Sequence, residues 1–250
     1  MNRYFLEMAY LGKGFAGFQR QENANTIQAE IEKALRVFYR EDFELTGSSR
    51  TDAGVHALQN YFHFDSAIEV RQESVYNLNA ILPQGIVIKS IRKMPAGAHC
   101  RFDALTREYR YYVYREKNPF IVDTAYYYPY TIQFESLQLA ASEVKRHQNF
   151  ESFSKRNTQV NNFECRIEDS SWMVEADKLV YRVVANRFLR GMVRGLVGTM
   201  LQVGRGKMTV EQFRDIIEAK DASRADFAVP GHGLFLVEVR FPGHYFSHSK

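Results

Sequence analysis

The 250-residue chain carries 33 Lys and Arg against 29 Asp and Glu, a net charge of +4, with 45% hydrophobic and 14% aromatic residues. This composition excludes a disordered or low-complexity chain, and so small a charge names neither a nucleic acid nor a membrane as partner. No run approaches the ~18 apolar residues of a membrane span, no export signal opens the chain, and Cys100 and Cys165 lack zinc or disulfide-framework spacing, so a soluble cytoplasmic protein without a metal is expected.

Residues 3–10 alternate as a strand. Thr26 stands where a helix N-cap belongs, ahead of Ile27, Ile31, Ala34, Leu35 and Phe38 at helical spacing. A second strand near 43–46 leads into a Gly- and Ser-containing loop, and 58–64 reads as a third strand. Residues 73–82 are predicted helical up to Pro83, and Gly85 precedes a fourth strand over 86–91. This β-α-β-β-α-β order is that of the ferredoxin-like unit, two helices on one face of a four-stranded antiparallel sheet.

The second half follows a similar order. Residues 107–115 are strongly β-prone, 134–147 form an amphipathic helix, and 167–174 with 179–184 make a hairpin around Ala176-Asp177-Lys178. A long helix is predicted from about Phe188, a shorter one from Thr209, and a closing strand over 234–241. The expected fold class is α+β: two ferredoxin-like halves, 1–105 and 106–250, with joined, largely antiparallel sheets and a cleft where they meet. The halves share element order, not visible sequence identity.

The segment most suggestive of chemistry is Gly47-Ser-Ser-Arg-Thr-Asp-Ala-Gly-Val-His-Ala-Leu58, between two predicted strands. A lone Asp-Ala-Gly is ordinarily a turn in which the carboxylate holds backbone amides. Here Gly54 permits a sharp turn after Asp52, and Arg50, two residues earlier, shares its face in an extended chain, where a guanidinium would keep the carboxylate ionised. Thr51 and His56 add polar groups. Further on, Arg187, Arg190 and Arg194 fall on one face of the predicted helix, whose Gly191, Gly195 and Gly198 each cost roughly 1 kcal/mol relative to Ala unless something approaches the backbone closely. Tyr109, Tyr111, Tyr112 and Tyr114 are explicable as packing of a β-strand.

Arg50-Thr-Asp-Ala-Gly-Val-His56 resembles the signature of TruA-type pseudouridine synthases. The resemblance extends in order through Tyr10-Leu-Gly, Gly17-Phe-Gln-Arg-Gln21, Leu78-Asn-Ala-Ile-Leu-Pro83, His99-Cys-Arg-Phe-Asp-Ala104, Arg107-Glu-Tyr-Arg-Tyr111 and the segment 186–198. Departures are Leu11 where the family usually has Asp, Ser49 where it has Gly, and Arg190-Gly191 before Met-Val-Arg. The resemblance implies the pseudouridine synthase fold, Asp52 as the essential carboxylate, Tyr109 as a ring stacked on the target base, and a helix buried between the halves with Arg194 reaching Asp52. It also implies a homodimer acting on the anticodon stem-loop of tRNA. Isomerisation requires no redox or energy source, so no cofactor is expected. Lys13, Arg20, Arg187 and Arg190 are candidate phosphate contacts, and His56 a further RNA-binding residue. Two rival readings stand beside it: a non-catalytic RNA-binding or tRNA-folding protein on the same scaffold, and a metal-dependent hydrolase or phosphotransferase using Asp52, for which the sequence shows neither histidine ligand spacing nor a second acid near Asp52.

Overall fold

A computed structural model describes residues 1–155 and 162–246. The chain divides into two compact units, Met1–Leu105 with Phe235–Lys250, and Thr106–Leu234. The expected α+β class is found: mostly antiparallel strand pairings with five α-helices among the described residues. No helix among them is long and apolar enough to cross a membrane.

The first unit contains β1 (Asn2–Tyr10), α1 (Ile27–Tyr39), β2 (Thr46–Gly47), β3 (His56–Ser66), α2 (Ser74–Ile81) and β4 (Ile86–Met94). Helix α1 starts as its sequence suggests, because the Thr26 side chain accepts the Ala29 N–H and satisfies one donor of the first turn. Ile27, Ile31, Ala34 and Leu35 are buried, while Phe38 is only half-buried. β1 runs antiparallel to both β3 and β4, and β2 pairs with β3 at Thr46↔His63, giving the ferredoxin-like order β4-β1-β3-β2.

The second unit contains β5 (Thr106–Tyr114), β6 (Tyr126–Tyr127), α3 (Phe134–Val144), β7 (Ile167–Glu175), β8 (Lys178–Ala185), α4 (Met192–Gly204) and α5 (Val210–Glu218). β8 lies antiparallel between β5 and β7, and Ala176, with φ +53°, makes the hairpin turn. Thr209 and Gln212 form a capping box at the start of α5.

Two expectations are corrected. The final strand, β9 (Leu234–Arg240), does not simply close the second half, because from Phe235 onward the chain groups with the first unit. There it runs parallel to the start of β3 at His56↔Phe235 and Ala57↔Leu236, and the Val239 N–H donates to Gln59 Oε1 at 2.9 Å. α4 starts at Met192 rather than Phe188, because Gly191 adopts φ +77° and breaks the helical path. Arg187 and Arg190 therefore precede the helix and share no helical face with Arg194. The glycine cost is explained at Gly198, where a Cβ would lie 2.2 Å from the Asp226 carbonyl oxygen: the backbone after α5 crosses α4 at this point.

Candidate functional site

The loop between β2 and β3 holds Asp52 half-buried while its backbone is fixed from several directions. The Val55 N–H donates to the Asp52 carbonyl at 3.2 Å, closing the turn in which Gly54 takes φ +77°, as expected from its position. Beside it Thr51 is buried, its hydroxyl 2.8 Å from the Tyr10 hydroxyl, and its carbonyl accepts the Phe18 N–H at 3.1 Å. Asn60 Nδ2 donates to Tyr10 Oη at 3.2 Å and to the Ser49 carbonyl at 2.8 Å. Burial pushes the Tyr10 phenol up to about 12, against the opposing effect of its Thr51 and Asn60 hydrogen bonds, so it serves as a neutral brace.

Tyr10 and Asn60 escaped the sequence reading as site residues. Both are polar groups on the inward side of otherwise apolar strands, and that signal could have found them, because a buried polar group must have a partner. Gly12 is a further omission: a Cβ there would lie 2.1 Å from the Val55 carbonyl oxygen, so only glycine lets the segment after β1 pack on the Asp52 loop.

His56 does not occupy an RNA-facing position. It is 1% exposed, its Nδ1 accepts the Gly12 N–H at 3.0 Å, and its ring lies 4.5 Å from that of Phe235. The reason is that β3 begins at His56, directing the side chain inward to hold the two loops together. Ser49 is likewise buried, which removes it from direct contact with a macromolecule.

Arg50 is exposed and lines a recess of about 290 Å³ with Phe18, Thr46, His99, Arg101 and Phe102. Lys13 and Arg20 are exposed in the segment after β1. The Arg20 guanidinium lies 3.1 Å from the Glu32 carboxylate, so part of its charge is already compensated.

In the second unit, Tyr109 pairs with Val183 and is 8% exposed, its ring edge-on to Phe188 with centroids 5.0 Å apart and planes at 81°. Its neighbours behave as strand packing: Tyr111 is fully buried, with its hydroxyl donating to the Pro230 carbonyl at 2.8 Å, and Tyr114 is buried. Arg194, in the first turn of α4, is half-buried; Nε donates to the Val229 carbonyl at 2.8 Å and Nη2 to the Phe227 carbonyl at 3.4 Å. That grip ties the guanidinium to the backbone that follows α5. Arg187 is half-buried and Arg190 exposed, its carbonyl accepting the Lys155 N–H.

The site residues thus fall into two sets, Arg50 and Asp52 on one loop of the first unit, and Tyr109 and Arg194 on regular elements of the second. A family model described as tRNA pseudouridine synthase matches residues 8–103 and 140–242. The chain is 43% identical to tRNA pseudouridine synthase A of Parabacteroides distasonis, over 98% of both chains. It is 39% identical to the protein of that name from Porphyromonas gingivalis, over 98% of this chain and 100% of the relative. For the Bacillus subtilis protein of that name the identity is 36%, over 94% and 97%.

Proposed function

This chain belongs to the tRNA pseudouridine synthase family, and from that premise we propose how its own residues convert uridine to pseudouridine in tRNA. The reaction breaks the bond from ribose C1′ to uracil N1, turns the base, and joins C1′ to C5; the C5 proton leaves and N1 gains one. The Asp52 carboxylate acts at the sugar, as nucleophile or base at an electron-poor anomeric carbon, in the manner by which carboxylates serve glycosyl transfer. Arg50 and Arg194 orient it. Tyr109 stacks on the uracil and assists removal of the C5 proton once the base has left its stack.

The single observation that supports this reading most is the bracing of the Asp52 loop. Thr51, Tyr10 and Asn60 spend buried hydrogen bonds on holding a turn whose carboxylate is left half-exposed. A carboxylate that only stabilised a turn would need no such support from neighbouring strands. Lys13, Arg187 and Arg190, with Arg20 in a lesser role, contact phosphates, so binding weakens with salt. The anticodon stem-loop as target, a homodimer and a cytoplasmic setting complete the proposal.

Asp52→Asn and Asp52→Ala are tested for tritium release from 5-tritiated uridine in tRNA. The expected result is loss of release with RNA binding retained. Undiminished turnover overturns the role of Asp52; wild-type protein that binds tRNA without releasing tritium favours the non-catalytic alternative.

A further inference from the structure

We propose that the turn His99–Asp103 and the recess behind it form a second nucleotide subsite, which stacks an unpaired, non-reacting base of the substrate RNA on Phe102 and places its phosphate against Arg101 and Arg50. The proposal rests on the RNA substrate inferred above, and it concerns residues to which the mechanism assigns no task, Arg50 excepted.

The turn is built to keep an aromatic ring in solvent. Phe102 is 76% exposed, while its neighbour Cys100 is completely buried, with Sγ donating to the Thr46 carbonyl at 3.2 Å. The N–H groups of Arg101 and Phe102 both donate to His99 Nδ1, at 3.2 and 3.3 Å, which requires that nitrogen to be unprotonated. The Asp103 carboxylate is turned inward, Oδ2 accepting the His99 N–H at 2.6 Å and the Tyr245 hydroxyl at 2.6 Å. These bonds hold Asp103 below the usual carboxylate range, the Tyr245 bond first among them, and keep its charge engaged within the turn.

What faces outward is aromatic and cationic. Arg101 Cζ lies 5.7 Å from the centroid of the Phe102 ring, and the His99 ring lies 4.2 Å from it. The recess behind contains Arg50 and Arg101, the Thr46 and Gln19 polar groups, and no Asp or Glu among its lining residues. A π-face beside guanidinium groups, in a hollow free of carboxylates, is the chemistry that takes a single-stranded nucleotide: the ring stacks with any base, and the cations meet its phosphate.

Phe102→Ala, Phe102→Trp and Arg101→Gln are made in the full chain and assayed on unmodified tRNA. Loss of one stacked base corresponds to about a ten-fold rise in KM for Phe102→Ala, with kcat within about two-fold of wild type and recovery of KM in Phe102→Trp. Arg101→Gln raises KM and flattens its dependence on salt. The Trp variant also gives a readout independent of turnover, because the native Trp172 is 2% exposed and the new indole lies at the surface: tRNA quenches its fluorescence. Unchanged KM in Phe102→Ala, a fall in kcat instead, or absence of quenching in Phe102→Trp each overturns the subsite. Failure of wild-type protein to release tritium counts against the proposed function, whereas quenching reports on the subsite alone.

Discussion

The two sets of site residues are held by different physics. Asp52 sits on an irregular loop, and its rigidity comes from side-chain hydrogen bonds contributed by β1 and β3 and from a glycine contact with the segment after β1. Tyr109 and Arg194 sit on a strand and at the start of a helix, where ladder pairing and a backbone clasp set their direction. A regular element positions a side chain at little additional cost, whereas a loop must be braced by buried polar groups, each of which is costly if left unpartnered. The comparison predicts that the Asp52 loop is sensitive to remote hydroxyl deletions and that the Tyr109 strand is not.

The greatest loss is expected for Asp52→Ala, which under the proposed role lowers kcat/KM for tritium release by about 10⁴-fold or more. Arg194→Ala follows at about 10²-fold in kcat, and Arg194→Lys recovers little of it, because one ammonium cannot reproduce a guanidinium that spans the Val229 and Phe227 carbonyls. Steady-state kinetics separates the two.

Tyr10→Phe tests the bracing of the Asp52 loop directly. It leaves the Thr51 hydroxyl and an Asn60 donor with one partner fewer in a buried place, at about 1–3 kcal/mol of stability, and lowers kcat with little change in KM. Thermal unfolding and kinetics on the same sample check both. Tyr111→Phe, which also removes a buried tyrosine hydroxyl bond but on the far side of the comparison, should lower the melting temperature and spare kcat.

The smallest effect is a pH dependence. Burial, with the positive charges of neighbouring groups, holds the His63 imidazole down at about 4, and the Cys100 N–H points at its Nδ1 from 3.4 Å. The unfolded chain binds this proton near pH 6.5 and the folded one does not, so stability falls as pH drops through the window from about 6.5 to 4. His63→Phe should reduce the slope of melting temperature against pH within that window, and a slope equal to wild type would remove His63 from the account.

Much of the fold was legible because it is written locally. α1 and α5 each follow a capping threonine and an apolar stripe, and the hairpin turn at Ala176 separates two β-prone runs. The Asp52 loop could be found from Gly54 and the density of polar residues around it. What the sequence did not disclose depends on contacts between distant positions. Gly191 reads as an expense inside a helix until its left-handed φ reveals it as the point where the helix begins. His56 reads as one more polar group of a loop until Phe235, far along the chain, covers it. The Tyr10–Thr51–Asn60 cluster joins three separate stretches, and no periodicity reports on such a meeting.

The return of β9 to the first unit bears on how the enzyme comes to exist during translation. His56 and Gln59 cannot obtain their Phe235 and Val239 partners until those residues have left the ribosome, although Asp52 was synthesised long before. The support of the Asp52 loop is completed late, and a nascent chain that already carries every proposed catalytic residue still lacks the strand that covers His56 beside that loop. Premature termination before residue 235 therefore yields a polypeptide with the reactive groups but without their finished support.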